Sequence, residues 1–326
     1  MNLPRLSFLL FLSSTIILIA CSRSGTPAVT PAAFETPLSN RVEQHVETAG
    51  DGHPHEHVNP ESATGQIQVT LVASELVLGL NRFAVGLLDA EGQMIHQADV
   101  HFHYFDLSNE QEPLLEVEAD ATRLSMPDNS VTIFAHERTF ERAGPWGVEV
   151  QAVLPDGQTA VSRIGFQVVA DSVTITPGEQ APAVDTPTAA DVDNDLSRLT
   201  SAPQPNPAFY EISLADALQN GKPTIFLLAT PAYCQTRFCG PDYEIISELQ
   251  PKYADAFNFI HVEVYEGLPD PAASGWPVAP AMAAFGLTSE PWLFLIDASG
   301  VVVYRVEGFF TPEEVERQLQ MFPVSD

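Results

Sequence analysis

The sequence has few basic residues. Lysine and arginine together number 14 against 43 aspartates and glutamates, which gives the 326-residue chain a formal net charge of −29. Nucleic acids are bound by a basic face, and anionic lipid surfaces attract clusters of Lys and Arg. The composition therefore argues against nucleic acid as a partner and against electrostatic docking on a membrane. An acidic surface mainly keeps a protein soluble.

Cysteine is also scarce, with three in the whole chain. The first, Cys21, ends an apolar stretch that has a positively charged start and is too short to span a bilayer comfortably. Leu18-Ile-Ala-Cys21 resembles the lipobox of bacterial lipoproteins, whose cysteine is acylated after cleavage. The resemblance implies a signal peptide over residues 1–21 and a lipid anchor that holds the protein on the extracytoplasmic side of the cell membrane. The alternative is a chance cysteine in an N-terminal anchor helix.

Two stretches lack the apolar periodicity of helices and strands. Residues 22–65 are rich in Pro, Ala, Thr, Ser and Glu, which is typical of a flexible tether. Residues 171–206 are rich in Pro, Ala and Asp and are interpreted as a second linker. The tether contains His53, His55 and His57, whose alternating imidazoles can wrap a Cu or Zn ion. A solvated tether can also carry histidines that bind nothing.

Residues 66–170 alternate apolar and polar side chains, which is the pattern of half-buried strands. The clearest runs are residues 67–71, 83–87, 100–104, 146–150 and 166–168. Turn signals such as Pro155-Asp-Gly157 lie between them. The pattern predicts an antiparallel β-sandwich of about seven strands. It resembles the small Ig-like domains of exported bacterial proteins, including the YtkA-like group, and no cysteine is present to brace it.

One strand of this region carries two histidines. His101 and His103 are two residues apart, so they project from the same face, at a spacing that suits a metal ion. If Val100, Phe102 and Tyr104 point inward, both histidines face solvent. They are then either a ligand pair for Cu or Zn or ordinary surface histidines.

The chemistry of the chain centres on the other two cysteines. A continuous apolar run, Ile225–Ala229, is short enough for a buried parallel strand. A loop with Cys234 and Cys239 follows, and Gly240-Pro241 then leads into a segment with helical spacing. This order places sulfur at the positive end of a helix dipole, where a thiolate is stabilised.

Residues 207–326 resemble the thioredoxin-like superfamily. A helix capped by Ser213 precedes the first strand, and the later segments follow in the family's order: a strand over 258–264, a helix over 280–286, strands over 290–297 and 301–306, and a last helix opened by the capping box Thr311-Pro-Glu-Glu314. The resemblance implies a cis-proline at Pro291 beside the cysteines, with Glu290 facing them. The whole chain is thus predicted to be multidomain, with an all-β Ig-like sandwich followed by an α/β thioredoxin-like domain.

The usual spacing in this family is two residues between the cysteines, whereas four intervene here. In one alignment Cys234 is the nucleophile and Cys239 its resolving partner. In the other, Phe238-Cys-Gly-Pro-Asp242 matches the family's aromatic-Cys-Gly-Pro-Cys motif, so that Cys239 is the nucleophile and Asp242 replaces the second cysteine. The free amides at the start of a helix favour Cys239.

Charged neighbours act on these thiols in opposite directions. The carboxylate of Glu290 would raise a thiol pKa by repulsion or carry a proton, and Arg237 would lower it. The strand 225–228 lacks the carboxylate that thioredoxins bury beneath the dithiol. This difference counts against efficient general reductase activity.

The function that the resemblance implies is disulfide exchange between this pair and the thiols or disulfides of exported or membrane proteins, with no cofactor required. A second hypothesis is a non-enzymatic binding or assembly factor with a structural disulfide. A third is copper handling, because Sco-type copper chaperones also use two cysteines and a histidine. Those have three residues between the cysteines, and the only histidine of this domain, His261, lies within a predicted strand, where a satisfied core residue is expected.

Overall fold

The computed structural model describes residues 67–126, 128–234 and 238–322. Outside these ranges lie the predicted signal peptide and tether, and with them Cys21, His53, His55, His57 and Arg237. In the described part of the chain, no helix combines the length and the apolar composition needed to cross a bilayer.

The first half of the described chain consists of nine strands: β1 (Gln68–Leu71), β2 (Leu76–Val77), β3 (Gly79–Leu88), β4 (Asp99–Asp106), β5 (Leu114–Asp120), β6 (Thr122–Ser125), β7 (Thr132–Phe140), β8 (Gly144–Val153) and β9 (Thr159–Val169). They form a four-stranded sheet in the order β1-β3-β7-β6 and a five-stranded sheet in the order β2-β9-β8-β4-β5. All pairs are antiparallel except β2 with β9. The prediction of about seven strands falls short because β2 has only two residues and because Leu124 is the one apolar residue of β6, so neither strand shows an alternating pattern.

The inward side chains of both sheets meet in one apolar core. Phe83 and Phe140 reach it from the four-stranded sheet, and Phe102, Tyr104 and Trp146 from the five-stranded sheet. Phe83 and Phe102 meet edge to face, with ring centroids 5.4 Å apart. Each fully buried ring of this kind stabilises the fold by about 1.5–3 kcal/mol. The two sheets therefore pack face to face.

The second half contains a smaller sheet and four helices: α1 (Leu214–Ala217), β10 (Thr224–Leu228), α2 (Cys239–Tyr253), β11 (Asn258–Val262), α3 (Pro280–Ala284), β12 (Trp292–Ile296), β13 (Val302–Glu307) and α4 (Pro312–Leu319). The strand order is β11-β10-β12-β13, with β10 parallel to β11 and antiparallel to β12. The elements implied by the thioredoxin-like resemblance are present in the implied order. Helix α2 begins at Cys239 and so includes Gly240-Pro241, which the sequence places ahead of the helical segment.

Strand β10 is apolar from Ile225 to its end because both faces of its sheet are covered. Ile225 and Leu227 pack in the same core as side chains of α2 and α4. Phe226 and Leu228 pack in a second core with side chains of α1 and α3. The sheet is thus the middle of three layers, and the cysteine loop leaves from the end of its central strand.

The stretch 171–206, expected to be an unpacked linker, is packed against this domain. Val192 and Leu199 are buried in the same core as Ile225. The backbone N–H of Ala181 donates to the carbonyl of Gly300 over 2.9 Å. The expectation is therefore corrected: a few well-spaced apolar side chains, together with backbone hydrogen bonds, are enough to fix a stretch of low apolar content.

The outer face of the four-stranded sheet contacts the same domain. Ala84 and Ala135, on β3 and β7, belong to the core that also contains Phe309 and Phe310. Beside them, Arg82 of β3 forms a buried ion pair with Glu314 of α4. The sandwich thus shares apolar and charged contacts with the domain that carries the cysteines.

Candidate functional site

Cys234 and Cys239 form a disulfide bond just after strand β10. Cys234 lies in the loop, where its backbone N–H donates to the carbonyl of Thr230 over 3.0 Å. Cys239 is the first residue of α2. Their Cα atoms are 6.0 Å apart, within the range a disulfide requires. The predicted pairing is confirmed.

The two cysteines differ in exposure. Cys239 is 0% exposed, whereas Cys234 is half-buried. A thiolate from another protein must reach the sulfur that it attacks, and the disulfide then breaks between that sulfur and its neighbour. Access therefore favours Cys234 as the sulfur that meets a partner.

The start of α2 supplies a favourable electrostatic field for the sulfur of Cys239. Phe238, the residue that caps the helix, makes no side-chain capping hydrogen bond, and Pro241 has no backbone N–H. The amides of Cys239 and Gly240 thus lie at the positive end of the dipole without a side chain from the cap. A thiolate that forms on Cys239 is stabilised there.

Glu290 lies next to the buried sulfur, as the resemblance implies. Its Oε2 atom is 3.6 Å from Cys239 Sγ, and the Glu290–Pro291 peptide bond is cis. Burial raises the pKa of Glu290, and hydrogen bonds from the side chain and backbone of Thr230 offset part of the rise. A carboxyl group with a raised pKa is suited to give a proton to a departing thiolate.

Asp242, in the position where the family motif has its second cysteine, is fully buried in α2. Neither of its carboxyl oxygens has a hydrogen-bond partner among the residues described. Burial raises the pKa of Asp242 well above its usual range, and the nearby backbone N–H of Phe310 and the charge of Arg82 offset only part of the rise. The neutral acid is therefore the favoured form, because an unpaired charge would be costly in this surrounding.

His261 is a core residue, as predicted. Its Nδ1 atom lies 2.8 Å from the Tyr210 hydroxyl, and its Nε2 atom lies 2.9 Å from the carbonyl oxygen of Ala229. A carbonyl only accepts, so Nε2 carries the proton and Nδ1 accepts from the tyrosine. Burial lowers the pKa of His261 to about 4, and the ring is neutral.

Sequence reasoning missed Glu263 and Thr230. Glu263 follows β11 and is buried, and burial raises its pKa to about 7. The Thr230 side chain lowers the pKa of both Glu263 and Glu290, so it acts on two acids at once. The one available signal was His261-Val-Glu263, in which two polar residues share one face of a strand that is otherwise apolar.

One group of side chains in the described ranges brings three candidate metal donors within 4.8 Å of one another: Cys234, Cys239 and Glu290. Both sulfurs are engaged in the disulfide, so they are not thiolate donors in this state. The role of His53, His55 and His57 in metal binding stays a prediction.

The histidines of β4 occupy the outer face of their sheet, opposite the inward Phe102. His101 Nδ1 lies 2.5 Å from a carboxylate oxygen of Asp120, and His103 Nδ1 lies 3.3 Å from one of Glu149. His103 is only 9% exposed, which corrects the expectation that both histidines face solvent. Charged neighbours on β5 and β8 surround this position, because cross-strand partners share a face. The ligand role of the pair stays a prediction.

No family model and no curated protein matches this chain. Among solved structures it is similar to a putative thiol:disulfide interchange protein DsbE from Chlorobium tepidum, with 18% identity over 45% of this chain and 97% of that one and a TM-score of 0.33. It is similar to a thiol:disulfide interchange protein of the thioredoxin family from Chlorobium tepidum TLS, with 26% identity over 38% and 96% of the chains and a TM-score of 0.27. It is also similar to CopC from Methylosinus trichosporium OB3b, with 15% identity over 32% and 97% and a TM-score of 0.21. Each of these similarities covers less than half of the chain.

Proposed function

We propose that this protein is a thiol–disulfide oxidoreductase whose Cys234–Cys239 pair exchanges with thiols and disulfides of other proteins. One observation carries the proposal: a half-buried cysteine is bonded to a buried one that starts a helix and has a carboxyl oxygen 3.6 Å from its sulfur. A disulfide that only braces the loop needs neither the helix start nor the acid. Both favour exchange, since one sulfur must leave as a thiolate and then be protonated.

The exchange runs through a mixed disulfide. The partner's thiolate attacks Cys234 Sγ, a new S–S bond forms, and Cys239 Sγ leaves with the electron pair of the old bond. The helix start stabilises this thiolate, and Glu290 gives it a proton. A second thiolate of the partner then attacks its own sulfur, releasing Cys234 as a thiolate, so the partner is oxidised and the protein reduced. The same steps in reverse oxidise the protein.

Activation by the helix start and accessibility to a partner belong to different cysteines. The helix start activates Cys239, but burial prevents a macromolecule from reaching it. Cys234 is accessible and lies farther from the helix. We therefore assign the intermolecular step to Cys234 and the resolving step to Cys239.

We also propose that the protein acts on the extracytoplasmic side of the cell membrane, attached by a lipid on Cys21. The resemblance of residues 18–21 to a lipobox supports this location, and disulfides persist in exported compartments. Its redox partners would be exported proteins or membrane proteins with exposed thiols.

A redox titration tests the proposed activity. The full chain is equilibrated with mixtures of reduced and oxidised dithiothreitol, and the reduced fraction is measured by alkylation. We expect a potential above about −300 mV, whereas structural disulfides lie below that value. The double variant Cys234→Ser/Cys239→Ser is the control and should show no transition. A potential below the limit, with no exchange with a thiol-containing peptide, would support a structural disulfide instead.

A further inference from the structure

The two cysteine sulfurs and the carboxylate of Glu290 form a cluster whose chemistry changes when the disulfide is reduced. Cys234 Sγ, Cys239 Sγ and one Glu290 oxygen all lie within 4.8 Å of one another. In the oxidised chain the two sulfurs are bonded to each other. Reduction turns them into thiols, whose thiolates are ligands for soft and borderline metal ions. The reduced chain therefore gains a set of three donors that the oxidised chain lacks.

The spacing of these donors fits a tetrahedral zinc ion. Zn–S bonds are about 2.3 Å and Zn–O bonds about 2.0–2.2 Å, so a sulfur and an oxygen ligand lie roughly 3.5 Å apart at the tetrahedral angle. Glu290 Oε2 and Cys239 Sγ are 3.6 Å apart. Two sulfur ligands lie roughly 3.8 Å apart in the same geometry, a separation that becomes possible once the bond between them is broken. One edge of the site is thus already in place, and reduction supplies the other.

Two of the three donors are held by regular elements. Cys239 is the first residue of α2, and Glu290 lies two residues before β12. The carbonyl of the adjacent Pro291 accepts a hydrogen bond from the Gly308 N–H over 2.9 Å. Cys234 lies in the loop, where its sulfur can adjust to an ion. A metal site needs this support, because donors on regular elements are held more precisely than donors on loops alone.

Histidine does not complete the donor set. The Nε2 atom of His261 donates to the carbonyl of Ala229, and its Nδ1 atom accepts from the Tyr210 hydroxyl. Asp242, three residues after Cys239 in α2, is not among the donors grouped within 4.8 Å in the described ranges. The described part of the chain thus supplies three ligands. The fourth position of a tetrahedral ion is left for water or for a sulfur of a partner, as in zinc sites that exchange a ligand.

The mixture of sulfur and oxygen donors selects among metal ions. Mg²⁺ and Ca²⁺ take oxygen ligands, so two thiolates exclude them. Cu⁺ prefers soft sulfur ligands and gains little from a carboxylate. Zn²⁺ accepts thiolate sulfur and carboxylate oxygen together. With three anionic ligands the zinc site keeps a net negative charge, which the positive start of α2 stabilises.

We propose that Cys234, Cys239 and Glu290 bind one Zn²⁺ ion in the reduced chain and release it when the disulfide forms. Binding requires only that the disulfide can be reduced, whereas its effect on activity rests on the proposed exchange. When a partner's disulfide oxidises the chain, the two sulfurs lose two electrons, an S–S bond forms, both Zn–S bonds break and Zn²⁺ leaves. The partner's disulfide gains the electrons and two protons from water and becomes two thiols.

Zinc and the disulfide therefore exclude each other. Free Zn²⁺ at about 100 times its dissociation constant favours the dithiol about 100-fold. For a two-electron couple this raises the reduction potential by about 59 mV. Zinc would thus hold the protein in its reduced form and slow its oxidation by a partner.

The test counts the zinc bound by the full chain in its two redox states. The chain is reduced with a phosphine, desalted without oxygen and titrated with Zn²⁺ against a chromophoric chelator of known affinity. We expect the reduced chain to bind one Zn²⁺ more than the oxidised chain. The oxidised chain is the control, because it keeps His53, His55 and His57 and lacks only the two thiolates. Diamide, which takes two electrons from a dithiol, should then release that ion.

Matched variants separate the carboxylate from the sulfurs. Glu290→Gln keeps the size of the side chain and both cysteines but removes the anionic oxygen. It should weaken zinc binding by at least about 10-fold, since even the loss of a group that only hydrogen-bonds to a ligand costs 10–100-fold. Glu244→Gln removes an exposed glutamate from α2 and should leave the affinity unchanged. Cys234→Ser/Cys239→Ser should show no zinc that depends on the redox state.

Co²⁺ gives a readout that needs no variant. Bound in place of Zn²⁺, it should show intense sulfur-to-metal charge-transfer absorption in the reduced wild-type chain and none in the oxidised chain. Equal zinc binding in the two redox states, or wild-type affinity in Glu290→Gln, would overturn the site. A chain that exchanges with thiols but gains no zinc on reduction would overturn the site alone. A chain that gains zinc on reduction but does not exchange with thiols would overturn the proposed function and support the site.

Discussion

The buried ion pair between the sandwich and helix α4 makes a quantitative prediction. Arg82 Nε lies 2.5 Å from Glu314 Oε1, and Arg82 Nη2 lies 2.9 Å from Glu314 Oε2. The two side chains are only 7% and 9% exposed, and Nη2 also donates to the carbonyl of Phe309 over 2.9 Å. This bidentate geometry is the strongest form of an arginine–carboxylate ion pair. Removing the cation leaves a buried carboxylate without its partner.

Arg82→Met should therefore lower the free energy of unfolding by about 3–5 kcal/mol. The measurement is urea unfolding followed by circular dichroism, read as the shift of the midpoint at constant slope. Arg317→Ala, which removes an exposed arginine from the same helix, should change it by less than about 0.5 kcal/mol. The double variant Arg82→Met/Glu314→Leu should recover most of the loss, because no buried charge remains. A loss below about 1 kcal/mol in Arg82→Met would refute the reasoning, since burial of an unpaired carboxylate costs more than that.

Three further predictions address the anchor, the thiols and the domain. Cys21→Ser should release the protein from membranes or leave its signal uncleaved, and unchanged attachment after cell fractionation would contradict the lipid anchor. In single-cysteine variants, Cys234 should be alkylated faster than Cys239 at equal pH because it is the accessible thiol, and the reverse order would exchange their assigned roles. A fragment 207–326 should have a free energy of unfolding about 3 kcal/mol or more below that of a fragment 172–326, because it lacks the buried Val192 and Leu199. Equal midpoints in urea would show that these contacts are dispensable.

Elements with strong local signals were predictable from the sequence. The apolar run of β10, the serine cap at Ser213 and the capping box at Thr311 each specify their element within a few residues, and the structure places all three there. The sequence predicts the start of α2 too late, because Gly240-Pro241 is expected to lead into the helix. The helix instead begins at Cys239, with the proline inside its first turn.

Contacts that depend on the third dimension were not predictable in this way. Composition indicated a linker over 171–206, yet Thr200 and Ser201 reach across to Glu263, more than 60 residues later. The exposure difference between Cys234 and Cys239 also has no local signal, since it depends on how the loop packs. Part of the site could therefore be predicted from the sequence. The two cysteines and Glu290 follow from motif and resemblance, whereas Glu263 and Thr230 are placed near them only by packing.

The packed stretch 171–206 also bears on the order in which the chain can fold. Its partners come late: Ala181 bonds to Gly300, and the N–H of Val302 donates to Glu179. Contacts this distant in sequence form slowly, and a chain that is synthesised from its N-terminus exposes the early partner until the late one arrives. The two cysteines, in contrast, are five positions apart. They can therefore close their ring while the walls around Glu263 are still unassembled.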